Sequence, residues 1–242
     1  MCGQLIDVAD SQNQHVVVVS EYGITPVTDA VHINRALRQE GYVSVRNENG
    51  REQLDAGASD AFALADHQIA HIYINRKETT GAVKSLLENL DGVEHVLEDE
   101  GKAEWGLDHE RAGDLVAISR ADRWFSYYYW LDDNRAPDYA RTVDIHRKPG
   151  YDPVELFIDP EISHPKLAIA SRLLRRKLGF RNLLDVISLR DTSLVKGSHG
   201  RPTDDPQHGP VFISSTADYL PQDSVHTLEF KSLILKHLFG DV

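Results

Sequence analysis

The sequence Val16-Val17-Val18-Val19-Ser20-Glu21-Tyr22-Gly23 contains the clearest early strand signal in the chain. Four consecutive β-branched residues are typical of a strand buried on both faces, as in the parallel sheet of an α/β protein. Gly23 permits a sharp turn after this strand. A helical pattern over residues 29–39 and a second strand pattern over 42–45 follow. This order predicts an α/β fold with a layered, mainly parallel sheet and flanking helices.

The composition indicates a globular, acidic protein. The 242 residues include 26 Lys and Arg and 38 Asp and Glu, which gives a net charge of −12 with histidine neutral. The hydrophobic share of 41% excludes a wholly disordered chain. The acidic balance argues against nucleic acid as a partner, because neutralising phosphates requires clustered Lys and Arg. One basic stretch over residues 172–181 lies on a predicted helix, and we interpret it as a solvated face.

The cysteine content and the lengths of the apolar runs indicate the cellular compartment of the protein. Cys2 is the only cysteine, so an intrachain disulfide and a cysteine zinc site are both excluded. No stretch approaches the roughly 20 apolar residues that span a bilayer. Residues 1–13 lack the basic start and apolar centre of a signal peptide. We therefore expect a cytoplasmic protein with no membrane partner.

The rest of the chain divides into two kinds of pattern. Residues 62–118 have short strand, helix and strand patterns, which predict a smaller α+β insertion similar to a cap. Residues 1–61 and 119–242 would then form the core portion. Six aromatic residues within 124–130 are interpreted as core, and residues 166–178 form an amphipathic helix pattern with an apolar and a basic face. A second amphipathic helix is predicted over residues 228–239.

Polar residues concentrate at three places where loops follow predicted strands. In an open α/β sheet such places bind ligands. They are Glu21 after the valine run, His199 between two glycines, and the segment Asp144-Ile145-His146-Arg147-Lys148. If that segment is extended, Asp144, His146 and Lys148 share one face and suit a phosphoester or the surroundings of a metal. The alternatives are a helix-capping or ion-paired carboxylate at Glu21, a surface turn at His199, and a polar edge strand at Asp144.

A fourth candidate, for a metal site, is Asp66-His67 together with His71. In a strand, however, the four-residue spacing of the two histidines merely places them on one face. No Glu adjoins the first histidine, as a zinc protease helix would require. The chain also lacks the glycine-rich and GxSxG motifs of P-loop, dinucleotide-binding and serine-hydrolase proteins, and a cysteine nucleophile. These enzyme classes are therefore disfavoured.

Three features in this order resemble the alkaline phosphatase superfamily, and within it the nucleotide pyrophosphatase and type I phosphodiesterase branch. They are the valine strand ending in Ser20-Glu21-Tyr22-Gly23, the pair His199-Gly200, and the Gly-Pro-containing strand at 209–213. The resemblance implies an alkaline-phosphatase-like core. It also implies that Glu21 and Tyr22 bind one metal and His199 another. The ions would be two divalent cations, zinc or alternatively manganese.

The chain departs from this family pattern at two points. Glu21 stands where the family has Asp, and Tyr22 stands where it has the better ligand His. The family's nucleophilic Thr or Ser and its first metal ligands lie before this strand, where the chain has too few residues to hold them. The resemblance therefore implies a C-terminal portion whose nucleophile lies upstream, with no catalytic residue of its own.

These observations lead to one principal hypothesis and two rivals. The principal one is a metal-dependent hydrolase of a small phosphoester, in which Asp144, His146, Arg147 and Lys148 orient phosphate or the metal surroundings. The first rival is a non-catalytic binding protein on the same scaffold with degenerate metal ligands. The second is a self-sufficient metalloprotein that uses His67, His146 and His199. The sequence does not indicate the oligomeric state.

Overall fold

A computed structural model describes residues 1–220 and 224–240 of the chain, except for the side chain of Ile145. These residues form a mixed α/β structure. In chain order, the helices and strands are α1 (Cys2–Ser11), β1 (Val17–Val19), β2 (Thr25–Pro26), β3 (Asp29–Val31), α2 (Ile33–Gln39), β4 (Val45–Glu48), β5 (Arg51–Leu54), β6 (Ala61–Asp66), β7 (Ile69–Ile74), α3 (Thr80–Glu88), β8 (Val93–Leu97), α4 (Asp99–Glu104), β9 (Leu115–Ser119), β10 (Arg123–Phe125), α5 (Pro165–Lys177), β11 (Gly197–Ser198), β12 (Phe212–Ser214) and α6 (Phe230–Phe239).

The chain divides into two compact units. The terminal unit comprises residues 1–23 and 203–242, and the central unit comprises residues 24–202. The predicted insertion at 62–118 lies within the central unit, where it contains most of one antiparallel sheet. The division into a core portion and a cap-like insertion stays a prediction.

In the terminal unit, β1 pairs antiparallel with β12, with Val18 opposite Ile213. The valine run therefore forms a strand, as expected, but Val18 and Val19 are 45% and 48% exposed. The prediction that both faces of this strand are buried is wrong for the described structure, because α1, β12 and α6 leave part of it uncovered. Helix α6 packs on this pair through His237, whose Nε2 lies 2.6 Å from Ser214 Oγ.

The central unit is built on a four-stranded antiparallel sheet in the order β6-β7-β9-β8. Alternate residues of β6 are buried, and Ala63 lies opposite Ile72 of β7. Helix α3 buries Val83 and Leu87 in the core of this unit. The alternation of buried and half-buried residues fits a sheet that has only one face fully covered.

The sheets differ from the predicted layered, mainly parallel arrangement. Among the strands of the described residues, only β3 and β10 pair in parallel, with Ala30 opposite Trp124. The other strand pairs are antiparallel. A continuous apolar run predicts burial on both faces but does not specify which strand becomes its neighbour, so the predicted parallel sheet is not confirmed.

The aromatic run forms the centre of the core. Trp124, Phe125 and the four aromatic residues at 127–130 are fully buried, which confirms the interpretation of this stretch as core. Strand β10 ends at Phe125, so the run is not one continuous strand. The two predicted amphipathic helices are present as α5 and α6. No helix among the described residues is long and apolar enough to cross a membrane.

Candidate functional site

The first predicted site region lies in the terminal unit, where the loop after β1 meets the segment before β12. Ser20 donates its backbone N–H to the Val211 carbonyl at 3.0 Å. In return, the Val211 N–H donates to Ser20 Oγ at 2.9 Å. The two sequence features at 16–23 and 209–213 are therefore joined by a reciprocal pair of hydrogen bonds.

Gly23 is required by this contact. A Cβ at position 23 would lie 1.8 Å from the carbonyl oxygen of His208, a distance that no side chain can occupy. The glycine thus lets the backbone after the valine strand approach the His208-Gly209 turn closely. Glu21 and Tyr22 precede it and are exposed, with Tyr22 44% accessible.

The second region lies in the central unit at the turn between β6 and β7. His67 occupies this turn in a left-handed conformation, with φ of +56°. Its Nδ1 donates a hydrogen bond to Asp66 Oδ1 at 2.6 Å. This hydrogen bond lowers the pKa of the Asp66 carboxyl, against the desolvation that raises it. Asp66 is therefore held in its ionised form next to the imidazole.

The glycine-flanked loop docks His199 against this turn. The Gln68 N–H donates to the His199 carbonyl at 2.9 Å, while the side chain of Gln68 donates to the carbonyls of Ala121 and Arg123. Gly200 has a φ of +108°, which favours glycine at this position. The loop that contains Gly200 therefore holds His199 against the β6–β7 turn.

The rings of His67, His199 and Tyr151 are in contact. The His67 centroid lies 3.9 Å from that of His199 and 4.4 Å from that of Tyr151. Tyr151 is positioned by its N–H, which donates to the Ala65 carbonyl at 2.9 Å. Gly150 permits this approach, since a Cβ there would lie 2.5 Å from the same carbonyl. We call Asp66, His67, Tyr151 and His199 the histidine cluster.

The histidine cluster gathers groups that the sequence did not connect. Asp66 and His67 stood out only through their spacing to His71, and that pairing is not what the structure uses. His71 instead accepts the Gly113 N–H at Nδ1 over 3.1 Å, and burial lowers the pKa of its imidazole. Glycines at 150 and 200 were the available signal, because Gly150 permits a close backbone approach and Gly200 adopts a positive φ.

The described side chains do not fit a complete metal site. Within residues 1–220 and 224–240, no three or more His, Cys, Asp or Glu side chains are arranged to hold an ion. His67 and His199 face each other through their rings at an interplanar angle of 31°. Ring nitrogens bind metals in the plane of the ring, so this ring contact does not by itself create a pair of ligands. The self-sufficient metalloprotein of His67, His146 and His199 is therefore wrong for the described residues.

The segment after Thr142 differs from the expected extended strand. Residues Ile145–Arg147 form a 3-10 turn, so the predicted shared face of Asp144, His146 and Lys148 does not form. Arg147 pairs with Asp144 at 3.1 Å on the surface, and His146 is exposed. A 3-10 turn separates side chains that an extended strand would align.

Lys148 is buried away from solvent with two carboxylates. Its Nζ lies 2.8 Å from Asp152 Oδ2 and 3.1 Å from Glu155 Oε2, and the lysine side chain has no exposed surface. Desolvation raises the pKa of the Asp152 carboxyl, although the lysine opposes this effect. The geometry gives Lys148 a role inside the fold.

Two shallow clefts lie elsewhere on the central unit. One, of about 390 Å³, is lined by Asp29, His32, Arg35 and Arg123 among others. The other, of about 350 Å³, is lined by His71, His109 and Arg111 among others. Neither cleft is lined by a member of the histidine cluster.

Structural comparison finds solved proteins that share features of this fold. Phosphonoacetate hydrolase from Sinorhizobium meliloti 1021, in complex with phosphonoformate, is 15% identical with a TM-score of 0.51; the match covers 98% of this chain and 45% of that chain. Murine ectonucleotide pyrophosphatase/phosphodiesterase 5 is 16% identical with a TM-score of 0.36; the match covers 54% of this chain and 32% of that chain. Only the first likeness bears on the fold.

The sequence identifies the family of the chain. Residues 1–152 match the family of type I phosphodiesterases and nucleotide pyrophosphatases. The chain belongs to this family, which confirms the resemblance found from the sequence. It spans about 45% of the length of the phosphonoacetate hydrolase. No curated protein matches the sequence.

Proposed function

We propose that the chain is the C-terminal portion of a metal-dependent hydrolase that cleaves a small phosphoester or pyrophosphate. The family match over residues 1–152 carries this proposal. The fold likeness to a hydrolase that is more than twice as long supports the view that further polypeptide completes the enzyme. The nucleophile would then belong to that polypeptide.

In this proposal, Glu21, Tyr22 and His199 are metal ligands in the complete enzyme. Glu21 and Tyr22 are exposed after β1, and His199 is held in the histidine cluster. Since the described side chains do not form a complete ligand set, the remaining ligands would come from the preceding polypeptide. Zinc is the expected ion, and manganese is the alternative, because mixed nitrogen and oxygen ligands accept both.

The residues of the 144–148 segment have two different environments, and we propose a different role for each. Asp144, His146 and Arg147 are at least partly accessible and stay candidates for orienting phosphate. Lys148 forms buried ion pairs with Asp152 and Glu155. We therefore propose that Lys148 stabilises the conformation of this segment and does not contact phosphate. The accessible cation Arg147 suits direct phosphate contact better.

The test is to compare the 242-residue chain with the product of the reading frame extended upstream of Met1. Metal content is measured by mass spectrometry, and hydrolysis is followed with bis-para-nitrophenyl phosphate. We expect the shorter chain to be inactive and the longer protein to bind metal and turn over substrate. Absence of both metal and turnover in the longer protein would contradict the proposal.

Two substitutions in the longer protein examine the ligands. Glu21→Gln and His199→Ala should each lower turnover by more than the roughly 10–100-fold effect of removing a residue around a ligand. Glu110→Gln and His164→Ala are matched controls, because both residues are exposed and lie outside the proposed site. Unchanged activity in the first pair would remove Glu21 and His199 from the metal site.

A second candidate function is non-catalytic binding on the same scaffold. Tyr22 favours it, because a phenol is a poorer metal ligand than the expected imidazole. An authentic promoter and start site directly before the Met1 codon would favour this function over a hydrolase.

A further inference from the structure

Helix α5 leaves most of its apolar surface uncovered. None of its thirteen residues is buried. Leu167, Leu174 and the capping residue Leu178 are 69%, 57% and 65% exposed. Phe180, just beyond the helix, is 65% exposed as well. Isolated exposed leucines are common on protein surfaces, but several on one helix face mark an interaction surface.

These leucines point away from the protein. Ile169 packs against the core cluster of the central unit, and Arg172 bonds Asp185 through Nε at 2.8 Å. At 3.6 residues per turn, Leu167, Leu174 and Leu178 fall on the side of the helix opposite these two inward residues. The helix therefore rests on the protein by one side and presents a leucine stripe on the other.

Basic residues border the leucine stripe on both sides. The helical period places Lys166 and Lys177 along one border and Arg175 along the other. Residues 165–181 contain six Lys and Arg and no Asp or Glu, within a chain of net charge −12. Lys166, Arg175 and Lys177 form no ion pair with another described residue. The stripe thus combines exposed apolar area with uncompensated positive charge.

We propose that α5 and Phe180 lie flat on an anionic lipid surface. Leucine and Phe180 side chains would enter the boundary between headgroups and acyl chains, while the bordering Lys and Arg reach the phosphates. An anionic surface repels the acidic remainder of the protein and attracts the basic residues of α5. This helix is therefore the part of the protein that contacts the lipid. The contact runs along the membrane surface and requires no spanning segment.

The same features disfavour a second copy of the chain as the partner. A two-fold contact through α5 would bring the basic borders of both helices together, and like charges oppose that arrangement. An anionic lipid surface instead offers negative charge on both sides of the stripe. The occupant that matches both the leucines and the cations is therefore the lipid surface.

The test is sedimentation of the 242-residue chain, and of the longer protein that the proposed function requires, with phosphatidylcholine vesicles, with or without phosphatidylserine. We expect binding only when phosphatidylserine is present, and weaker binding as salt rises. The double variant Leu174→Ser/Leu178→Ser should bind at least about tenfold more weakly, because two apolar side chains no longer enter the lipid. Arg175→Glu/Lys177→Glu should also weaken binding. Circular dichroism verifies that each variant is folded.

Leu228→Ser is the matched control, because this leucine is 84% exposed in the terminal unit and lies outside the stripe. Its binding should equal that of the unaltered chain. Absence of binding to phosphatidylserine vesicles overturns the proposal, as does binding that survives the double leucine variant. A dimer in solution that dissociates on Leu174→Ser/Leu178→Ser would assign the stripe to a second copy instead and would equally overturn it.

Discussion

The imidazole of His67 contacts the imidazole of His199, with ring centroids 3.9 Å apart and ring planes tilted by 31°. The first belongs to the turn after β6, and the second belongs to a glycine-flanked loop far along the chain. Their contact is fixed from both sides, since Asp66 accepts a hydrogen bond from His67 and Gln68 donates to the His199 carbonyl. The loop that carries the proposed metal ligand His199 is therefore positioned by the β6–β7 turn.

Removing the His67 ring should loosen this loop. Asn is a suitable replacement, because it tolerates the left-handed conformation of position 67. We expect His67→Asn to lower the free energy of unfolding by about 0.5–1.5 kcal/mol through loss of the ring contacts, measured by urea denaturation. The His199 ring resonances should shift as well. His164→Gln, an exposed control, should stay within about 0.5 kcal/mol. Equal effects of both variants would contradict the positioning.

The buried Lys148 provides a second, larger effect on stability. Lys148→Met leaves the carboxylates of Asp152 and Glu155 without their cation, and we expect a loss of about 3–5 kcal/mol in urea denaturation. The neighbouring Arg147→Met is a matched control, because its pair with Asp144 is on the surface and should contribute only about 0–1 kcal/mol. A small effect at Lys148 would show that the two carboxylates are not held by this lysine.

His32 should make stability depend on mildly acidic pH. Burial lowers the pKa of its imidazole from 6.5 to about 4, and the charge of Arg35 adds to this effect. Its Nδ1 lies 2.5 Å from Ser126 Oγ, and its ring stacks on Tyr128. As pH falls below 6.5, His32 binds a proton in the unfolded chain but stays neutral in the folded chain. Stability contributed by neutral His32 is therefore present above pH 6.5 and lost towards pH 4.

The expected size of this effect is about 2–3 kcal/mol between pH 7 and pH 4.5. It is measured by urea denaturation at both pH values, with His32→Gln as the comparison, because glutamine does not titrate. The unaltered chain should lose this amount beyond the loss of the variant. Parallel pH profiles of the two proteins would show that His32 keeps an ordinary pKa.

Local patterns in the sequence predicted local structure well. The helical periodicity gave α5 almost to the residue, and the aromatic run was correctly interpreted as core. Close approaches were also foreseeable, since Gly23 and Gly200 mark positions where a side chain would clash or strain the backbone. These predictions depend on neighbours along the chain, which the sequence displays directly.

Long-range pairing was not predictable in the same way. The valine run specified a strand but not its antiparallel partner β12, because partner choice depends on distant residues. The alternation of Asp144, His146 and Lys148 suggested a shared face, yet the turn at 145–147 directs Lys148 into the core. Likewise, nothing near His67 in the sequence identifies His199 as its neighbour.

Two nearby tyrosines, Tyr127 and Tyr129, differ in whether their buried hydroxyls form hydrogen bonds, and this difference allows a comparison. Tyr127 is fully buried, and its hydroxyl has no hydrogen-bond partner within the described part of the chain. The hydroxyl of Tyr129 is also buried, but it donates to the Glu52 carbonyl at 3.2 Å and lies 2.7 Å from the Tyr139 hydroxyl. The two side chains therefore differ mainly in whether the phenol is satisfied.

Removing each hydroxyl should have opposite consequences. Tyr127→Phe deletes a desolvated polar group that receives no compensation, so we expect stability to be unchanged or increased by up to about 1 kcal/mol. Tyr129→Phe deletes bonds and leaves the Tyr139 hydroxyl unsatisfied, so we expect a loss of about 1–3 kcal/mol. Urea denaturation of both variants measures the difference. A loss at Tyr127 as large as that at Tyr129 would mean that the Tyr127 hydroxyl is satisfied by a buried water molecule, whose removal then carries the cost.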